Sequence, residues 1–397
     1  MTLLELITKA TSGHNSTDSE SEYPVTLNPD HILQNLKPKQ EDGDPLSLVC
    51  PVTGWQVSQT DSQLIDLVGK FSNNLKQKLK DTNKFERSEF FEILEPFLEK
   101  VLQIVGISVG VSRNHRKYAE VLIENVGTLV GKGVMSLILE ACVALNLWEL
   151  VGCMVICGIV DHSCYSNLIF NLLLKRRSDL VCLCIKHAPV LHVDELVCIL
   201  KYFLCPPKDA LDSMVTVRKE LESQAMSAIA KASDKNLTEK ECGVARDAAI
   251  LLMVAHDGFT ISELCLHHLL ALANVDEVML SSALSKLNGE EMASLLSYLE
   301  KWLKKYEKFP QACPCPQASS MLGLWACDLV PKLEDVVRCL SLVLDTNFSS
   351  LVLHPEFHRQ LTSMEGLVSS LAAEARLCCV LDNTVDSLMN ASQSCVL

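Results

Sequence analysis

Glycine, proline and aromatic residues are scarce in this chain. Of its 397 residues, 16 are Gly, 14 are Pro, and Phe, Tyr and Trp together make 5%. A turn-rich β architecture spends more of all three, and no stretch alternates as propeller strands do, so a β fold is excluded in favour of helix. A basic excess is missing too. Lys and Arg number 35 against 49 Asp and Glu, leaving a net charge of −14 and a pI near 5.3. Such a chain gains nothing from phosphate neutralisation, which argues against broad sequence-independent nucleic-acid binding. A membrane span takes about 20 apolar residues with few charges. The strongly apolar candidate, Leu150 to Val160, is closed off by Glu149 and Asp161 and is too short, so a buried helix is expected there. The opening MTLLELITKATSG carries Glu5 inside a very short apolar run and has no proper signal core. At the other end Cys395 stands third from the terminus, where prenylation needs it fourth.

Catalytic signatures are absent as well. Gly127-Thr-Leu-Val-Gly131-Lys132-Gly133 has the look of a phosphate loop. That loop needs four residues between its glycines and a Ser or Thr after the Lys to hold Mg²⁺. Three residues and Gly133 occupy those places, so a helix–helix turn is expected. No G-x-S-x-G elbow occurs. Asp161, His162 and Ser163 are consecutive, whereas triads are assembled from separate elements. His267 and His268 fall within an apolar helical pattern and read as neutral side chains near the edge of the core. Cys153, Cys157, His162, Cys164, Cys182, Cys184 and His187 are the candidate zinc set, with Cys153 and Cys157 on one helix face. Zinc sites use tighter knuckles with polar flanks, and these residues sit among Val, Ile and Leu. Cys313-Pro-Cys315 is more exposed by context and open to oxidation. The expectation is a non-enzymatic chain with no cofactor, no metal, no small-molecule substrate and no membrane partner.

What the chain does have is apolar helix. Val134 to Leu204 is dominated by apolar residues, with single charges at Glu140, Glu149 and Asp161 and a cluster at Lys175-Arg176-Arg177. That is the pattern of several packed helices, each hydrophobic over most of its circumference and covered by its neighbours. The 18 cysteines mostly lie in helical apolar patterns, where free Cys behaves as a small buried hydrophobe; this points to a reducing compartment, cytoplasm or nucleus. The sequons at Asn15, Asn236, Asn347 and Asn390 then meet no glycosylating machinery.

Four segments are expected. Residues 1–48 are largely disordered, acidic and Ser-rich, with one or two helical turns in the first ten residues; Ser19 and Ser21 stand beside acids as acidophilic-kinase sites do, although a solubilising tail has the same composition. Residues 49–206 form an N-terminal helical lobe, in which Ser88 is placed to cap one helix and Pro96 to kink or split it. Residues 207–308 form a middle helical segment, where Thr238 with Glu241 and Thr260 with Glu263 match capping boxes. Residues 309–397 form a C-terminal helical unit after a Pro/Cys hinge, with helices near 318–330, 333–344, 355–372 and 375–389. No repeat of the TPR, ankyrin or leucine-rich kind recurs, so the fold class is an all-α, irregular α-solenoid of stacked antiparallel helix pairs. The basic clusters Arg113–Lys117, Lys175–Arg177 and Lys301–Lys305 are read as solvated helix ends or faces; direct RNA contact is the rival reading.

Two stretches carry a family resemblance. One is Leu295-Leu-Ser-Tyr-Leu-Glu-Lys-Trp302-Leu-Lys-Lys-Tyr306. The other runs from Cys339 through Leu344-Asp345-Thr-Asn347-Phe348 and an apolar run to Pro355-Glu356, followed by a long helix to Met389. Together, over 290–390, they resemble the C-terminal helical region of the nucleolar protein eleven family, a component of the small-subunit processome. The resemblance implies a scaffold in ribosome biogenesis, supporting rRNA transcription and pre-rRNA processing in the nucleolus, with the cytoplasm as runner-up. Its partners would be other protein subunits of a large complex, with pre-rRNA reached indirectly; a trafficking or nuclear-pore adaptor is the alternative. Members of that family resemble proteins that begin with a β-propeller, so this chain would correspond to the helical part alone. The implied interface or core residues are Trp302, Tyr306, Phe348 and Leu351.

Overall fold

The computed structural model describes residues 59–81, 85–107, 110, 115, 117–271 and 275–394. The expected disordered segment 1–48, with Ser19 and Ser21, lies outside them, as do most of the Arg113–Lys117 cluster and Cys395. Gln63–Leu397 forms one compact unit, and Met1–Ser62 is a separate one of which only the first residues of a helix are described.

Among the described residues every regular element is a helix, as the sequence predicts, and there is no strand. The first eight are α1 (Gln59–Leu79), α2 (Arg87–Val105), α3 (Tyr118–Val130), α4 (Lys132–Ala144), α5 (Trp148–Ile156), α6 (His162–Leu174), α7 (Ser178–His187) and α8 (Val193–Leu204). A 3₁₀ turn at Lys208–Ala210 leads into α9 (Leu211–Ala232), then α10 (Glu239–His256), α11 (Ile261–Leu270) and α12 (Glu277–Leu284). The last four are α13 (Gly289–Lys308), α14 (Pro316–Leu322), α15 (Leu333–Leu353) and α16 (Pro355–Ser394), with a 3₁₀ segment at Trp325–Leu329.

The helices stack in two rows. Successive neighbours α4, α6, α8, α12 and α15 make one row; α3, α5, α7 and α11 make the other. Helices α6 and α7 pair across the rows, as do α4 and α5. The pair α8 and α11 is interrupted in sequence by the long α9–α10 hairpin, which packs across α7 and α11. No single pair can cover itself, because α5 to α8 are apolar on most sides. Val151, Met154, Ile169, Leu172, Val181, Ile185, Leu196 and Ile199 are all essentially inaccessible. Each such side chain contributes about 1.5–3 kcal/mol by leaving water, and only the neighbouring pair can remove it.

Tight chain reversals set the pairing. After α4, α5 and α6 one residue turns left-handed: Asn146 (φ 54°), Gly158 (φ 65°) and Arg176 (φ 57°). The next N–H then bonds back into the last helical turn, Leu147 to the Cys142 carbonyl at 2.8 Å, Ile159 to Met154 at 3.1 Å and Arg177 to Leu172 at 2.9 Å. This closes the helix C-terminus and reverses the chain. Asn146 and Arg176 are thirty residues apart, and each is followed by an acid-Leu-Val start to the next helix, Glu149-Leu150-Val151 and Asp179-Leu180-Val181. Gly127 lies inside α3, where a Cβ would stand 2.5 Å from Cδ1 of Ile159, so helix approach accounts for this glycine of the phosphate-loop look-alike.

Several local expectations change. Ser88 sits inside α2, and Glu86 takes the N-cap position without a side-chain hydrogen bond. Pro96 neither splits nor ends that helix, which continues to a left-handed cap at Gly106. The expected break near 372–375 is absent, and α16 is one continuous helix. Trp325–Leu353 is, among the described residues, long and apolar enough to cross a membrane by length and composition, although charges interrupt it. Pro331 divides it, and Val336, Cys339, Leu340, Val343 and Leu351 of α15 are buried against neighbouring helices.

The left-handed turn at Asn146 gives a direct test. Asn146→Gly is expected to hold or raise stability, and Asn146→Val to lower it by about 1–2 kcal/mol, the cost of forcing a β-branched residue to positive φ. Urea unfolding of the two variants beside the parent chain measures both.

Candidate functional site

A cluster of polar and aromatic side chains is built on α13. Asn288 caps this helix in a reciprocal box with Glu291, at 2.9 Å and 2.8 Å. One face carries Tyr298, Trp302 and Tyr306, each four residues from the next, and all three are buried. His267 of α11 meets that face. Its Nε2–H donates to the Ala255 carbonyl at 2.9 Å, which leaves Nδ1 to accept from the Tyr298 hydroxyl at 2.8 Å. The tautomer is therefore fixed by its two partners. Phe259 packs edge-on to His267 at 4.8 Å and against Trp302 at 4.9 Å, and Trp302 stacks on Tyr306 at 5.6 Å. The Tyr306 hydroxyl donates to the carbonyl of Pro331, just before α15. Burial drives the His267 pKa down to about 3 and raises those of Tyr298 and Tyr306. Those shifts favour the neutral form of all three near pH 7, and the cluster joins α10, α11 and α13.

The rim of this joint is ionic. Lys301 bonds Glu263 at 2.8 Å, Lys304 bonds Glu300 at 2.7 Å and Lys305 bonds Asp257 at 3.2 Å. Glu263 also accepts from the Thr260 backbone, completing the box expected at the start of α11. The basic cluster 301–305 is thus matched by carboxylates of α10–α13. In the 175–177 cluster, Arg176 pairs with Asp209, and Arg177 pairs with Asp179 while lying over the Trp148 ring at 5.3 Å.

Beyond α13 lies the C-terminal face. Glu300 accepts from Ser363 at 2.8 Å and from Gln360, fastening α16 to α13. Helix α15 is bent at Asn347 (φ −115°, ψ 18°), whose buried amide reaches the carbonyls of Leu284 and Val343, both at 3.4 Å. An open apolar groove of about 520 Å³ runs between α15 and α16, lined by Val337, Leu340, Leu344, Leu361 and Val368. Past the bend, Phe348, Val352 and Leu353 face outward, with Phe348 66% exposed. Of the four residues singled out by the resemblance, the structure therefore joins Trp302 to Tyr306, buries Leu351 in α15 and leaves Phe348 at the surface. His267 was read from the sequence as a neutral side chain near the edge of the core, and it is buried and neutral. Tyr298 as its partner and Asn347 as the bend of α15 were not singled out, the signal for the latter being an asparagine embedded in an apolar helical run.

The other candidates do not assemble. Cys153 and Cys157 stand 4.0 Å apart, but among the described residues no three His, Cys, Asp or Glu side chains converge as a metal site requires. Burial raises the Cys153 and Cys184 thiols to about 12, and Cys142 and Cys182 are pushed up for the same reason, so these are not reactive thiolates. Asp161 precedes α6; hydrogen bonding from Ser163 and then Lys132 draws its carboxyl down to about 2. Together with His162 it makes a helix start and no triad. Cys313 is exposed, while Cys315 turns its thiol toward the Val244 carbonyl of α10.

No protein-family profile matches the chain, and no curated protein is similar enough to serve as a relative.

His267 makes stability depend on pH. Its pKa is near 3 in the fold and about 6.5 in an unfolded chain, so only the unfolded state takes up the proton between those values. Above about pH 6.5 the site costs nothing; as pH falls below it, stability is lost by up to about 1.4 kcal/mol per unit. Chemical unfolding between pH 7.5 and 5 is expected to give a shallower slope for His267→Gln than for the parent chain.

Proposed function

We propose that this chain is a non-enzymatic helical scaffold of ribosome biogenesis, a component of the small-subunit processome that supports rRNA transcription and pre-rRNA processing in the nucleolus. One observation carries the reading. The two stretches that resemble the nucleolar protein eleven family, Leu295–Tyr306 and Cys339–Glu356, fold into α13, α15 and the first turn of α16, and these three helices pack on one another as a unit. The residues of the resemblance are thus the residues of a joint, with an apolar groove and outward-facing apolar side chains beside it. Such a surface recognises protein helices. Its partners are other protein subunits, and pre-rRNA is reached through them, since the basic clusters at 175–177 and 301–305 are largely engaged by carboxylates.

Proximity labelling of the tagged chain in its own cells, read by mass spectrometry, tests this. Small-subunit processome proteins are expected among the most enriched neighbours. A cytoplasmic, nuclear-pore or membrane-coat neighbourhood would refute the nucleolar assignment and assign the same stack to another complex.

A further inference from the structure

The apolar seam of α16 outruns the body it packs on. Phe357, Met364, Leu371, Cys378 and Val385 recur at seven-residue intervals. Phe357 and Met364 are 3% and 2% exposed, and Leu371 is half-buried. From residue 372 to 385 every side chain is exposed. Leu377, Leu381 and Val385, which widen and continue the seam, are 60%, 56% and 52% accessible. A seven-residue repeat drifts by about 20° per heptad around a straight helix, so it keeps one continuous contact only if the covering helix winds around it left-handedly.

We propose that residues 371–385 of α16 form the docking seam for one amphipathic helix of another protein, with a seven-residue apolar repeat and Lys or Arg flanking it. The charges on the seam choose this occupant. Glu374 lies on the seam itself, between Leu371 and Cys378, and Asp382 lies beside Leu381; Arg376, two residues from Glu374, falls on the opposite side of the helix. A second copy laid parallel sets Glu374 against Glu374. Laid either way, it brings no basic residue on its own seam to meet that carboxylate, and it adds a second chain of net charge −14. A basic-flanked helix covers the leucines and pairs both acids.

The proposal rests on the scaffold reading but is tested apart from it. The full chain is titrated into two labelled helical peptides with the same apolar seven-residue repeat, one flanked by Lys and the other by Glu. The Lys peptide is expected to bind, more weakly as salt rises, and the Glu peptide not to bind. Leu381→Asp, at an exposed position that leaves the thermal midpoint unchanged, weakens binding by about tenfold or more, and Glu374→Lys shifts the preference toward the Glu peptide. Failure of the Lys peptide to bind, or equal binding of both peptides, overturns the proposal. So does a chain that sediments as a dimer which Leu381→Asp dissociates, since a second copy would then be the occupant. A chain that labels nucleolar neighbours and fails with both peptides loses only the seam, whereas binding without nucleolar neighbours loses only the assignment to ribosome biogenesis.

Discussion

His267 must stay neutral where it stands, and the middle of the molecule is built around that requirement. It has no exposed edge, one nitrogen is committed to the Ala255 carbonyl and the other to the Tyr298 hydroxyl, and aromatic rings close in around it. A buried polar group with both partners in place fixes one arrangement of the helices that supply them; with either partner gone, its desolvation is uncompensated. Here the helices are α10, α11 and α13. The same α13 reaches Pro331 through Tyr306 and α16 through Glu300, so one helix ties the inserted hairpin, the second row and the C-terminal face together.

The two-row stack explains the other features in turn. Short apolar helices gain little alone and much from their neighbours, so the chain needs sharp reversals that satisfy the last carbonyls of each helix. Left-handed residues at 146, 158 and 176 do this at the three reversals flanking α5 and α6. Reciprocal boxes at Thr238, Thr260 and Asn288 start α10, α11 and α13. Each device is local, yet together they decide which face every helix turns toward the next pair. The free cysteines fit this picture: those buried in the rows fill small apolar gaps, and their raised thiol pKa values follow from the same dryness.

Much of this was legible in the sequence, for physical reasons. The scarcity of Gly and Pro and the 3.6-residue apolar spacing gave the all-helical class, and the boxes at Thr238 and Thr260 were visible because their acid stands three residues on. Less local facts were hidden. Asn146 and Arg176 carry no glycine to mark a left-handed turn, although the repeated acid-Leu-Val that follows each was a signal thirty residues apart. The pairing of α8 with α11 across an inserted hairpin is a tertiary choice that no local pattern encodes. Ser88 had the chemistry of a cap but lay two residues past the cap position, inside the helix. Trp302, Tyr306, Leu351 and Phe348 were named together through the family resemblance, which did not separate the buried three from the exposed fourth.

Trp302 offers the most direct measurement of the central claim, because its ring touches Phe259, His267 and Tyr306 at once and is fully buried. Equilibrium unfolding of Trp302→Ala is predicted to show a loss of about 3–5 kcal/mol, as for a large aromatic removed from a packed core. A loss under about 1 kcal/mol, within the range of ordinary surface substitutions, would contradict the account, since α13 would then not be the element that joins the stack.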